Sequence, residues 1–278
     1  MDYYKEITFE QDLIAKISEQ KDKIEFQQKE LEESLRYAGS IQSALLPDEQ
    51  AFANFFSDNF ILFKPRDIVS GDFYWIHKKN SVVAVAAADC TGHGVPGAFM
   101  SILGISFLNE IVSKCIPKAS SILNKLRESV MKTLHQTGTR SEHKDGMDIA
   151  MCVIDLDQME LQFSGAFNPL YLIRNDELIE VRGDKMPIGI SFLTETSFTN
   201  HKLPILPGDH IYLFSDGFAD QFGGPEEKKF RYGPFKELLL SINKQKMEKQ
   251  RELLDKKFNR WMGDVEQVDD VLVIGMKI

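Results

Sequence analysis

Cysteine is nearly missing from this chain of 278 residues: Cys90, Cys115 and Cys152 are an odd number, widely spaced, with no CxxC pair. That argues against a thiolate metal site and suits a reducing compartment, so a cytoplasmic protein is expected. Positive charge is also in deficit, with 33 Lys and Arg against 42 Asp and Glu and a net charge of −9. Affinity for a phosphate backbone rests on the opposite balance, so no nucleic-acid partner is expected. No apolar run reaches the length of a bilayer crossing, and the opening MDYYKEITFEQD has neither the basic nor the apolar region of a signal peptide, so no membrane insertion is expected. What remains, 43% hydrophobic and 27% charged residues, is ordinary globular composition with ample length for a large core.

Residues 12–46 lack proline, contain Gly39 as their only glycine, and are rich in Glu, Gln, Lys and Leu, which predicts one long helix. Ile17, Ile24, Leu31, Ala38 and Leu45 recur every seven residues as one seam of a heptad pattern. The second seam, Leu13, Gln20, Gln27, Ser34 and Ile41, is polar in its middle, so a coiled-coil homodimer through this helix would be weak and register-sensitive. A single amphipathic helix packed on its own domain is the alternative. Pro47 closes the segment, which divides the chain into a helical regulatory segment, residues 1–50, and a globular domain, residues 51–278.

Strand and helix signals in the globular part come in blocks. Strands are predicted at residues 60–64, 72–77 and 81–89, then helices at 95–115 and 120–136. Short polar breaks separate further strands at 148–156, 161–167, 170–174, 178–182, 197–203 and 210–214. Two helices, 235–242 and 248–261, precede a last strand at 269–278. Runs of strands and runs of helices indicate α+β, with antiparallel sheets and helices packed outside them. Residues 222–234, FGGPEEKKFRYGP, are charged and loop-like and are expected to border the substrate groove.

The stretch SVVAVAAADCTGHGVPGAFMS, residues 81–101, runs from a fully apolar strand into Asp89, then a turn with glycines at 92, 94 and 97 around His93, then a helix. Three other places repeat the theme of an acid at a strand end: Asp72 in SGDFYW, Asp216 in LFSDGF, and Asp269 with Asp270 in QVDDVL. Each alone reads as a turn former. Together they resemble a carboxylate cluster, whose charges repel unless a cation lies among them; hard oxygen donors suit magnesium or manganese, and two such ions can share a bridging hydroxide that attacks a phosphoester. Cys90 has no base at motif spacing, and the histidines at 77, 135, 143, 201 and 210 show no ligand spacing.

SGDFYW, ADCTGHGVPGAFMS, DGMDIAMC, NPLYLI, FSDGFADQ and QVDDVLVIG, in this order, resemble the metal-dependent serine/threonine protein phosphatases of the type 2C kind, and more closely the bacterial branch named after sporulation stage II protein E. YAGSIQSALLP at residues 37–47 is similar to the linker that joins sensor modules to the catalytic domain in that branch. The resemblance implies a sandwich of two antiparallel β-sheets flanked by helices, with two Mn2+ or Mg2+ ions at one edge. It implies Asp72 and Asp89 as ligands, the Cys90 carbonyl on the second ion, and Asp216 and Asp269 completing the first ion's shell, with Asp270 the less favoured of its pair. His93 would protonate the leaving alkoxide or else bridge metal-bound waters. Arg66 would hold the phosphate, whereas Lys64 reads better as an exposed edge-strand charge. Asp148 reads equally as a further ligand, a supporting group or a turn acid. Leu272 and Phe167 depart from the branch's usual residues at their positions. A phosphorylated regulatory protein, an anti-sigma-factor antagonist, is the implied substrate. The competing expectation is a catalytically silent phosphatase fold serving as a signalling scaffold, against which the retention of all four ligand acids argues.

Overall fold

The proline-free stretch forms one helix, α1 (Asp2–Leu45), in the computed structural model, which describes residues 2–113, 116, 118–137, 144–191 and 196–278. Cys115, His143 and the side chains of residues 2–13, 49 and 50, the Leu13 seam position among them, lie outside that description. Ile17, Ile24 and Leu31 of the apolar seam are more than half exposed along the helix. Towards its end α1 meets the domain. Gly39 approaches so closely that a Cβ there would lie 2.9 Å from the Ile68 carbonyl oxygen, and Gln42 is buried. The Gln42 Nε2 donates to the Ser70 carbonyl at 2.6 Å and the Ser101 hydroxyl at 2.7 Å, while its Oε1 accepts the Ser70 N–H at 3.0 Å.

After α2 (Glu49–Ala53) come β1 (Asn59–Lys64), β2 (Phe73–Lys79) and β3 (Val82–Cys90), then α3 (Gly94–Val112) and α4 (Ala119–Thr133). Next are β4 (Met147–Asp155), β5 (Glu160–Ala166), β6 (Leu170–Arg174), β7 (Glu177–Val181), β8 (His201–Pro204) and β9 (His210–Phe214). The chain continues through α5 (Gly217–Asp220), the short strands β10 (Phe222–Gly223) and β11 (Lys228–Lys229), α6 (Tyr232–Ile242), α7 (Met247–Met262) and β12 (Val271–Lys277).

One sheet has the order β1-β12-β9-β6-β7, the other β2-β3-β4-β5-β8, and all their pairings are antiparallel. The unbroken apolar run of β3 has a packing reason. Its side chains alternate, so Ala84, Ala86 and Ala88 face the layer of α3 and α4, while Val83, Val85 and Ala87 face the other sheet. Small alanines on the first face let α3 and α4 lie close. The second face interlocks with Ile211, Leu213, Leu272 and Ile274, which fill the space between the sheets. A third cluster, with Phe214, Phe218, Phe235 and Phe258, seats α6 and α7 on the opposite outer face. The result is the predicted two-sheet sandwich flanked by helices.

Three elements differ from the sequence expectation. By length and composition α3 is apolar enough to cross a bilayer, although no such run was expected. Its Ala98, Met100, Ile105, Leu108 and Val112 are buried in the domain core against the second sheet and α4. The strand expected at residues 197–203 is only the four residues of β8. The charged segment 222–234 contains the β10–β11 hairpin and the start of α6. Its Pro234 falls in the first turn of that helix, where a missing N–H costs nothing.

Candidate active site

Antiparallel register brings acids from distant parts of the chain to one end of the sandwich. Asp89, near the end of β3, stands directly opposite Asp148, near the start of β4. In the other sheet β9 ends just before Asp216 and β12 begins just after Asp270. The two sheet ends enclose an open pocket of about 330 Å³, lined by Asp89, Asp148, Asp216 and Asp269 together with the main chain and side chains of residues 90–93.

The glycine turn shapes one wall. Gly92 and Gly94 have φ of 81° and 62°, the left-handed region that glycine enters without steric cost. A Cβ on Gly97 would lie 2.3 Å from the Gly92 carbonyl oxygen, so the first turn of α3 can close on the loop only because that side chain is missing. Thr91 fastens the turn to β4's approach: its N–H donates to the Gly146 carbonyl at 3.0 Å and its hydroxyl accepts the Gly146 N–H at 3.0 Å. His93 projects from the turn with Nδ1 3.1 Å from the Asp67 carboxylate.

Asp72 is not among the lining residues: it is buried, 2% exposed, and its Oδ2 has no hydrogen-bond partner. Burial first, and then the Asp89 charge, holds its carboxyl well above the usual range, although the Ser215 hydroxyl bonded to it pulls the other way. Asp89 is likewise pushed well up, by burial and then by Asp216, Asp269 and Asp148. Burial followed by the Asp216 charge raises Asp148 to about 7. Asp216 is raised to about 6 by burial and Asp269, and Asp269 itself is raised chiefly by burial. Asp89 and Asp216 share a hydrogen bond, and among the described residues no three His, Cys, Asp or Glu side chains close into a ready-made cage.

The donor set nevertheless fits a divalent cation. It is all oxygen, it includes a buried carboxylate oxygen without a partner, and its members disfavour one another's charge, which a hard cation would relieve. Cys90 lines the same pocket, but burial and then Asp89 push its thiol well above its ordinary value, so its side chain is a poor nucleophile.

Not every residue singled out in the sequence reaches the pocket. Asp270 is buried beside it, and both of its oxygens are taken by main-chain donors: Oδ1 accepts the Arg66 N–H and Oδ2 the Gly71 N–H, each at 2.7 Å. It ties the loop preceding Asp72 to the start of β12. Arg66 lies outside the ring of lining residues, with Nη1 donating to the Val268 carbonyl at 3.1 Å, yet close enough for its charge to lower Asp269. Lys64, on the edge strand β1, pairs with Asp255 of α7 at 2.6 Å. Asp148 enters the pocket through strand pairing, while Asp67, outside the lining, reaches the site only as the partner of His93. Nothing in the local sequence marks Asp67, whereas an acid opening a strand that pairs with β3 was a usable signal for Asp148.

A profile of stage II sporulation protein E matches residues 79–278. Among solved structures, the SiaA-PP2C domain of Pseudomonas aeruginosa is 31% identical, with a TM-score of 0.82 over 90% of this chain and 98% of that one. The PP2C phosphatase domain of SpoIIE from Bacillus subtilis, with a fragment of its regulatory domain, is 20% identical, with a TM-score of 0.65 over 79% of this chain and 62% of that one. The RsbU and RsbW domains of a Mycobacterium tuberculosis protein are 19% identical, with a TM-score of 0.62 over 79% of this chain and 60% of that one. At these identities the last two likenesses are of fold. No curated protein sequence matches the chain.

Proposed function

Because the chain belongs to the stage II sporulation protein E family of metal-dependent protein phosphatases, we propose that it hydrolyses phosphoserine or phosphothreonine on a regulatory protein, an anti-sigma-factor antagonist, in the cytoplasm. The observation that carries this reading is the gathering of Asp89, Asp148, Asp216 and Asp269 from both sheets into one pocket beside His93.

In this reading Asp72, Asp89, Asp216 and Asp269, with the Cys90 carbonyl, hold two magnesium or manganese ions. When bound, the ions offset the carboxylate charge, polarise the phosphoryl oxygens and acidify a water. Asp270 acts through position, fixing residues 66 and 71, the latter next to Asp72. His93, oriented by Asp67 at Nδ1, uses Nε2 to give the serine oxygen its proton as the P–O ester bond breaks and water oxygen joins phosphorus. Arg66 exchanges its bond to the Val268 carbonyl for one to the phosphate. Residues 51–278 form the catalytic unit and residues 1–50 a regulatory segment, whose exposed Ile17, Ile24 and Leu31 pair weakly with a second copy.

The test is hydrolysis of a small phosphoester and a phosphoserine peptide, with and without manganese, by the wild-type chain and by Asp89→Asn. Manganese-dependent turnover that the substitution abolishes is the expected result. Turnover indifferent to metal, or to the substitution, would overturn the reading.

A further inference from the structure

A second concavity, of about 400 Å³, lies beside the carboxylate pocket, where the β5–β6 connection faces the start of α6. Phe167, Pro169 and Tyr232 form an apolar slot over the buried Tyr171, and Arg182 and Lys185 stand on its rim. Tyr232 links the two places. Its ring walls the slot and packs against Phe214, with centroids 6.3 Å apart, at the end of β9 two residues before Asp216; burial and then the charges of Asp216, Asp220, Asp89 and Asp148 push its phenol up.

The slot is held in a costly conformation. Phe167 has φ of 56°, a region disfavoured for an aromatic residue, and the residue is 48% exposed. The next residue, Asn168, is buried, and its Nδ2 has no hydrogen-bond partner. Strain and an unsatisfied amide in one turn are unfavourable for folding alone, and such features cluster at ligand-binding places.

Charge indicates the ligand. The protein carries a net charge of −9 and its catalytic pocket is lined by aspartates, yet the rim of the slot is cationic. The one acid lining the slot, Glu180, is held by Lys236 at 3.0 Å. Arg182 reaches Glu180 only at 3.7 Å, and its side chain is 84% exposed.

Building on the phosphatase reading, we propose that this slot docks the peptide flanking the phosphorylated residue: an extended segment with an apolar side chain against Phe167, Pro169 and Tyr232 and a carboxylate on Arg182 and Lys185. The slot therefore selects which phosphoprotein is dephosphorylated, preferring acidic flanks that the aspartates would otherwise repel.

The test uses the full chain, wild type against the double variant Arg182→Glu/Lys185→Glu, and separately Phe167→Ala. Two phosphoserine peptides are compared, one with glutamates and one with lysines flanking an apolar residue, beside a small phosphoester that is too short to reach the slot. The wild type is expected to favour the glutamate peptide, and the double variant to lower its turnover relative to the small phosphoester about tenfold, with the lysine peptide gaining. Phe167→Ala is expected to weaken both peptides. Fluorescence anisotropy with the same labelled peptides reads docking directly, independent of turnover. Equal binding of the two peptides by wild type and double variant overturns the slot proposal even if the small phosphoester is hydrolysed. Charge-dependent binding without metal-dependent hydrolysis upholds the slot and overturns the phosphatase reading instead.

Discussion

Replacing Asp148 with asparagine should make the metal-free protein more stable, by an amount that grows from about pH 4 and is complete above about pH 7. Burial and the Asp216 charge raise the Asp148 carboxyl from 3.8 to about 7, so the folded state favours its protonated form. A carboxyl raised in this way adds stability that is fully present below its unfolded value of 3.8 and is lost progressively as pH climbs from there through about 7. The displacement corresponds to at most about 4 kcal/mol, at about 1.4 kcal/mol per tenfold change in acidity. Asp148 is partly solvated and shares its field with Asp216, so about 2 kcal/mol is the expected gain in the isosteric amide. Urea unfolding of the metal-free proteins should give superimposable curves for wild type and Asp148→Asn at pH 3, below the unfolded value of 3.8. At pH 8 the variant should be more stable by about 2 kcal/mol, or about 5 °C in Tm. Added manganese should narrow the difference by stabilising the wild type. A variant that gains nothing at pH 8, or gains equally at both pH values, would refute the claim that burial and the Asp216 charge disfavour an ionised Asp148 in the fold.

Two further substitutions probe how the acids are placed. Gln42→Leu removes three hydrogen bonds and leaves the buried Ser70 N–H and carbonyl without the glutamine amide; the expected loss is about 3 kcal/mol in urea unfolding, with manganese-dependent turnover shifted to about tenfold higher metal, and wild-type values in both would refute it. Gly217→Ala would set a Cβ 1.9 Å from the Asp270 carbonyl oxygen, so the backbone joining Asp216 to α5 must move; turnover should fall at least ~10-fold, since catalytic groups tolerate displacements well under an ångström, and an unimpaired variant would show that Asp216 is not held there.

The β3 strand and its glycine turn were legible in the sequence because the signal is local: a strand buried on both faces leaves an apolar run, and left-handed backbone leaves glycines. The alternation of strand and helix blocks was legible for the same reason. What the residues alone left open depends on pairing at a distance. Asp148 looks like any acid opening a strand until β3 lies alongside it. Asp269 and Asp270 are adjacent in sequence, and only the loops around them decide that Asp269 faces the pocket while Asp270 accepts two main-chain N–H groups. The β10–β11 hairpin was hidden because strands of two residues carry no periodicity, and glycine, proline and charge dominate that segment. The apolar length of α3 was missed because Ser101, Gly104 and Ser106 interrupt the run, although mean hydropathy over the helix stays high.

The position of β12 between β1 and β9 has a consequence for how the molecule is made. Of the five strands in its sheet it leaves the ribosome last, yet it belongs in the interior of the sheet, so a nascent chain holds β1 and β9 with facing edges unfilled. The contact between the Arg66 N–H and Asp270 spans 204 residues, a closure that no local structure can accelerate. Until that strand inserts, Asp269 is missing from the pocket and Arg66 and Gly71 lack their anchor, Asp270. Synthesis thus couples assembly of the pocket to completion of the sheet: a growing polypeptide carries Asp89, Asp148 and Asp216 without Asp269, and its two open strand edges are the surfaces a chaperone would need to shield.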